Sequence, residues 1–346
     1  MKICIVSLGL CLVCSAASGS GPPLDQFGTR FTNADCEIVW KTPTNSLPPS
    51  VWVYRVLPSH FSASVISNLI ALGEFAPNER VANLGPDARD LGAICYSNDK
   101  RSLGIHRELG FIEYRYPRAE AVRITEGVPT EDEIRTMGTN FLKMLEIDPS
   151  SVSPDIGVID DTAHNYQRNP FRITTNTHAR IIGFGRRLDG IDFYNKAESV
   201  EIKFAHHAVV RDLYLSWRNL ERDNLYKTAS PETIVKRMRG GECFAQVYGE
   251  TELRLPDIGG FKRVTIIKAT PYYYGEWMDK EQKWVYPFLY LETKVDMTEK
   301  GSVISMPPVG GSESAPANPQ VRWVEKNLTN QTIFLCCPIL GELIKQ

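Results

Sequence analysis

Arg186-Arg187-Leu188-Asp189-Gly190-Ile191, the alternating segment 199–217, Trp217-Arg218-Asn219-Leu220, Ala229-Ser230-Pro231-Glu232 and Gly240-Gly241-Glu242-Cys243 form the stretch from which the fold is read. Val200, Ile202 and Phe204 alternate with Glu201 and Lys203, the period of two that a strand with one dry and one wet face requires. Leu213, Leu215 and Trp217 repeat the pattern after His206-His207-Ala208, which predicts a β-hairpin. Ser230 is placed to cap a helix, Pro231 suits its first position, and Glu232 complements the positive end of the helix dipole. Ile234, Val235 and Met238 share one face, Lys236, Arg237 and Arg239 favour the negative end, and Gly240-Gly241 supplies the stop. The expectation is that the hairpin sheet and this helix pack on one another.

These same residues resemble PepSY/FTP-type domains, in the tandem arrangement of the YycH and YycI regulators. The resemblance is carried by Arg187-Leu188-Asp189-Gly190-Ile191, the hairpin, Trp217, Ser230-Pro231-Glu232 and Gly240-Gly241. It continues through Val264 to Tyr274, similar to the family's penultimate strand, and through Tyr286-Pro287-Phe288 within the strand Trp284 to Val295. It covers the C-terminal third best and the middle of the chain less well. It implies an α+β fold and a role in binding, inhibition or regulation outside the membrane, with a protease or envelope receptor as protein partner. The family has no catalytic residues to carry over.

Upstream, Lys2, the apolar run Ile3 to Val13 and the small residues Ser15-Ala16-Ala17-Ser18 read as a secretory signal cut after Ala17. The run is shorter than the roughly 20 apolar residues of a membrane span. Val13 before Cys14 and Leu10 before Cys11 do not fit a lipoprotein site. The mature chain is expected to be secreted or periplasmic, without a later membrane span. A net charge of -2 argues against nucleic acid as a main partner, and 42% hydrophobic residues over 346 positions suffice for about two ordinary domains. Outside the signal lie Cys36, Cys95, Cys243, Cys336 and Cys337, without metal-like spacing. An oxidising compartment allows one or two disulfides whose pairing the sequence leaves open.

Residues 18–49 are rich in Gly, Pro, Ser, Thr and Asn and read as an extended lead-in. A first lobe, 50–150, follows. It opens with a strand from Val51 to Leu57, then a helix capped by Ser62 with Val65, Ile66, Leu69 and Ile70 on one stripe. Strands at 93–96, 102–106 and 111–116 come next, then a helix with the capping box Thr130/Glu133 and the stripe Ile134, Met137, Phe141, Leu142 and Leu145. Residues 151–177 read as a linker, 178–309 as a second lobe, and 310–346 as a low-complexity, disordered tail. Val128-Pro129-Thr130-Glu131 and Ala229-Ser230-Pro231-Glu232 lie about 100 residues apart and suggest two related lobes, each an antiparallel sheet packed on a helix.

Several residues carry chemical potential, and each also has a plainer role. Adjacent His206 and His207 on a strand point to opposite faces and decorate a bend. Asp160 and His164 have the spacing of two metal ligands on a helix, but the segment has no apolar stripe and reads as polar connection. A hydrolase using Asp160, His164 and His206 is therefore the least favoured reading. Cys95 and Cys243 fall in or beside alternating strands, which favours burial or a disulfide over nucleophilic chemistry. No hydrolase elbow, zinc-protease, P-loop or dinucleotide motif occurs, so no catalytic residue, metal or cofactor is expected. The sequons at Asn327 and Asn330 carry no weight in the bacterial context the resemblance implies. What remains is an aromatic cluster: Tyr272, Tyr273, Tyr274, Trp277, Trp284, Tyr286 and Tyr290 on two strands. Tyr272 and Tyr274 share one face and Tyr273 takes the other. The expected binding residues are Tyr272, Tyr274, Trp277, Trp284 and Tyr286, toward a protein partner or, alternatively, a glycan or peptide. The plainer role is cross-strand aromatic pairing.

Overall fold

A computed structural model describes residues 24, 29–31, 35–81, 93–107, 109–116, 125–167, 171–194, 197–246, 261–276, 282–305 and 320–344. The fold is mixed α+β. The first sheet runs β4 (Arg80–Val81), β5 (Ala93–Ser97), β6 (Ser102–His106), β7 (Phe111–Arg115), β13 (Val210–Ser216), β12 (Ser199–Ala205), β9 (Arg172–Gly185) and β8 (Gly157–Gln167), antiparallel throughout. One face carries Ile105, Ile112, Ile182, Phe184, Val200, Ile202, Phe204, Leu213 and Leu215, and these close against helices α1 (Ala63–Leu72) and α2 (Glu131–Met144). Each such fully buried side chain contributes roughly 1.5–3 kcal/mol relative to exposure.

Both helices start where their caps dictate. The Ser62 hydroxyl accepts the Val65 N–H at 3.1 Å. Thr130 and Glu133 form the reciprocal box, with the Thr130 N–H donating to the Glu133 carboxylate at 2.7 Å and the Glu133 N–H to Thr130 Oγ1 at 3.3 Å. The Thr130 N–H, and then the Thr130 hydroxyl donating to the same carboxylate at 2.9 Å, hold the Glu133 carboxyl below the usual glutamate range. Gly138 lets α2 lie close on β9, because a Cβ there would fall 2.8 Å from the Phe184 ring.

The second sheet is ordered β1 (Thr29–Arg30), β15 (Phe244–Gln246), β18 (Gln320–Pro338), β17 (Trp284–Ser305), β3 (Ser50–Leu57), β14 (Asn219–Thr228) and β19 (Leu340–Leu343). β16 (Phe261–Tyr274) pairs with β17, and β2 (Glu37–Trp40) runs parallel to β16. Its inner face buries Val264, Ile266, Val285, Leu289, Leu291, Val295 and Leu335 together with Ile234 and Met238 of helix α3 (Pro231–Arg239). Cys243 and Cys337, near neighbours where β15 meets β18, form a disulfide, in which Cys36, Cys95 and Cys336 take no part. Cys336 faces the opposite side of β18 from Cys337, and burial pushes its thiol up to about 12.

The 200–217 hairpin does not pack on the 231–239 helix, contrary to expectation. β12 and β13 lie in the core with α1 and α2, whereas α3 covers the second sheet. The reason is a crossing: β13 ends at Ser216 and β14 starts at Asn219, so Trp217-Arg218 carries the chain from one sheet to the other. A second crossing, Pro58–Ser62, lies beside it, for Ser59 Oγ accepts the Asn219 N–H at 2.9 Å. The Trp217 N–H donates to the Gly110 carbonyl at 2.8 Å. Gly110 has φ +65°, and a Cβ there would meet Ser59 Oγ at 2.6 Å and the Trp217 carbonyl at 2.7 Å.

The third crossing is Arg186. Beyond it β10 (Arg187–Leu188) and β11 (Ile191–Asp192) close through Asp189-Gly190. Both turn residues have positive φ, 50° and 80°, the two-residue turn that Asp-Gly favours. The Asp189 carboxylate accepts from Tyr54 and Arg222 on the second sheet. Burial, then Asp189, pushes the Tyr54 phenol up to about 12. At the junction Glu198, with no exposed surface, receives Arg186 Nη1 at 2.8 Å and the Arg218 N–H at 3.1 Å. The Arg186 guanidinium lies 4.9 Å over the Trp217 ring, and Arg218 continues to Gln282 and the Glu276 carbonyl.

Four expected boundaries also change. Segment 151–177, read as a linker, holds β8 and the start of β9; its polar residues fit because Asp160 pairs with Arg180 across the hairpin at 2.6 Å. Segment 18–49, read as a lead-in, supplies β1 and β2 to the second sheet. The strand placed at the start of the first lobe is β3, which pairs with β14 and β17. In the tail, β18 and β19 are strands, and Leu335, Cys336, Cys337 and Ile339 are fully buried, because β18 is packed on both faces there. The signal segment 1–17 and positions 310–319 lie outside the described residues. Among the described residues no helix is long and apolar enough to cross a membrane.

Candidate functional site

The register of β16 on β17 sets Tyr272 opposite Phe288, Tyr273 opposite Pro287 and Tyr274 opposite Tyr286. Alternation then sends Tyr273 inward, where its ring meets Tyr54 edge-on at 5.4 Å and its hydroxyl donates to the Trp52 carbonyl at 3.1 Å. Burial holds that phenol far above the tyrosine range. Tyr272, Tyr274 and Phe288 lie on the opposite, outer face. There Tyr274, Phe288 and Cys336 are buried beneath the half-buried rings of Tyr194, Tyr272, Tyr290 and Phe244.

Tyr194 is delivered by the segment after β11, its N–H donating to the Tyr273 carbonyl at 3.0 Å. Its ring lies 5.5 Å edge-on from both Tyr272 and Phe288 and 5.3 Å from Tyr290. Tyr290 in turn stacks on Phe334 of β18 at 5.1 Å with 16° between planes. Arg30 of β1 lies 5.6 Å over the Phe244 ring at the edge. Burial, then the charges of Asp192 and Asp155, raises the Tyr272 phenol. The result is a continuous aromatic ladder on the side of the second sheet away from its main core.

Of the five expected binding residues, the structure brings Tyr272 and Tyr274 into this ladder, with Tyr274 buried at its base. Trp284 lines a separate groove of about 440 Å³ with Arg55, Val56, Leu57, Pro58, Gln282 and Lys283. Tyr286 is half-buried, its phenol raised by burial and then by Tyr226 and Asp223. Trp277 lies outside the described residues. Tyr194, Phe244 and Phe334 join the ladder from outside the two aromatic strands; Phe193-Tyr194 following the Asp-Gly hairpin is the local signal for the first of them.

The residues weighed for catalysis do not converge. Asp160 receives Arg180 and, at 3.1 Å, Thr177 Oγ1, whereas His164 Nδ1 lies 2.9 Å from Thr175 Oγ1 on the same hairpin. Both are on a strand, not a helix. His206 and His207 sit in the turn between β12 and β13, with His207 at φ 54°. Among the described residues no group of three or more His, Cys, Asp or Glu side chains could hold a metal ion.

Neither a family model nor a curated protein sequence matches this chain. Among solved structures it is similar to an uncharacterized protein from Eubacterium rectale, with 11% identity, 85% of this chain and 87% of that chain covered, and a TM-score of 0.40.

Proposed function

We propose that this is an exported, non-catalytic binding or regulatory protein that meets a protein partner, such as a protease or an envelope receptor, through the outer aromatic face of its second sheet. The carrying observation is the half-buried ladder Tyr194, Tyr272, Tyr290 and Phe334 on a face that the main core does not need. Half-buried aromatic rings combine large apolar area with little rotamer entropy, which is why such residues dominate binding hot spots. The PepSY/FTP-type reading, with two related lobes, draws support from two capped helices, α2 and α3, each placed on a different sheet.

The test is partner capture from the extracytoplasmic fraction with wild-type protein and with Tyr272→Ala/Tyr290→Ala. The double variant should lose affinity by about 100-fold, as expected for two hot-spot aromatics, while its unfolding remains cooperative. Unchanged capture would remove the aromatic face from the binding surface.

A further inference from the structure

Leu24 is 3% exposed and is buried with Tyr274, Phe288 and Cys336, rimmed by Tyr194, Phe244, Tyr272 and Tyr290. One leucine of the N-terminal segment thus occupies the base of the aromatic ladder. Downstream of Leu24, β1 is two residues long and lies at a sheet edge, with Thr29 paired with Ala245 and Arg30 with Phe244. Just downstream, Phe31 is fixed in the main core, its N–H donating to the Cys243 carbonyl at 2.8 Å. A short edge pairing next to a firm anchor is a place where a chain can peel without disturbing the rest.

We infer that the ladder is a seat for a leucine-bearing peptide segment and that Leu24 fills this seat in cis in the free protein. The inference rests on the proposed binding role of the face and names the chemistry of its ligand. Ring geometry favours a peptide over a sugar. Tyr290 and Phe334 turn their faces to each other, and Tyr194 stands edge-on to Tyr272 and Phe288. Faces engaged in this way are not presented as a flat platform for stacking a pyranose, whereas the same cluster already buries a branched aliphatic side chain, that of Leu24. A partner segment of the same chemistry would displace Leu24, so the cis leucine sets a threshold for binding. Its effective concentration is on the order of millimolar, as for other short tethers.

The test uses the full exported chain and a synthetic peptide with the sequence of residues 21–27, Gly-Pro-Pro-Leu-Asp-Gln-Phe. Wild type, Leu24→Ser, Leu24→Ala and Leu24→Met are titrated by calorimetry, with circular dichroism as the check on folding. The peptide should bind Leu24→Ser or Leu24→Ala about tenfold or more tightly than wild type or Leu24→Met, because only the first pair vacates the seat. A peptide with serine in place of leucine should bind none of them, and Tyr290→Ala added to Leu24→Ala should abolish the gain. Equal affinity for all four chains, or no binding to either vacated chain, overturns the inference. Loss of partner capture in Tyr272→Ala/Tyr290→Ala with no peptide binding would sink this inference and leave the binding face standing. Peptide binding with unaltered partner capture would do the reverse.

Discussion

Replacing Glu198 by alanine should destabilise the protein by about 3–5 kcal/mol, the range for breaking a buried ion pair. The carboxylate has no exposed surface and stands between Arg186 and Arg218, whose side chains are 9% and 5% exposed. Its removal leaves two guanidiniums without their counter-charge where water cannot replace it. Glu198→Gln keeps the shape and one acceptor, so it should cost less. Exchanging the whole triad for apolar residues of similar volume should recover part of the loss, because the desolvation of three charges disappears with their attraction. Urea unfolding checks all three. A Glu198→Ala loss below about 1 kcal/mol, the value of an ordinary exposed pair, would show that the junction is hydrated.

Reduction of the Cys243–Cys337 disulfide should cost about 4–5 kcal/mol on the loop-closure account. The bridge spans 94 residues of sequence, so the unfolded chain regains a large loop when it opens. In the folded protein both cysteines are fully buried in the second core and β15 stays paired to β18 through Phe244, Ala245 and Gln246. The native fold should survive reduction and simply unfold at lower denaturant. Cys243→Ser/Cys337→Ser measured against wild type, each with and without reductant, separates this from effects on Cys36, Cys95 or Cys336: reductant should leave the double variant unchanged. A reductant effect of equal size in the double variant would place the stabilisation elsewhere.

What the sequence made legible follows from how far each signal reaches along the chain. Helix caps act within four residues, and Ser62, Thr130 and Ser230 all cap the helices they were expected to cap. Alternation acts within one strand, and the strands at 93–97, 102–106 and 111–115 lie where the pattern put them. Neither signal says which sheet a strand joins. Trp217-Arg218 continues an alternating run and gives no local notice that the chain changes sheets there, so local pattern alone joins the hairpin to the wrong helix. The polar strand β8 hid for a different reason: Asp160, Asp161 and His164 are satisfied by Arg180, Lys203 and Thr175 across strands, partners no local pattern reveals. The low-complexity stretch before residue 320 obscures the apolar run Ile333 to Leu340, of which Leu335, Cys337 and Ile339 are core. At the candidate site the alternation of Tyr272, Tyr273 and Tyr274 was readable, but Tyr194 and Phe334 reach the ladder from about 80 residues upstream and 60 downstream.

Site-directed photocrosslinking tests the central claim, that the outer aromatic face of the second sheet is where the partner sits. A photoreactive side chain is placed at Tyr272 in one sample and at Tyr214, on the wet face of the first sheet, in another, and each is exposed to the extracytoplasmic fraction. The account predicts one discrete adduct from position 272, suppressed by excess unlabelled wild-type protein but not by Tyr272→Ala/Tyr290→Ala, and none from position 214. The same adduct from both positions, or equal suppression by the variant, would contradict it.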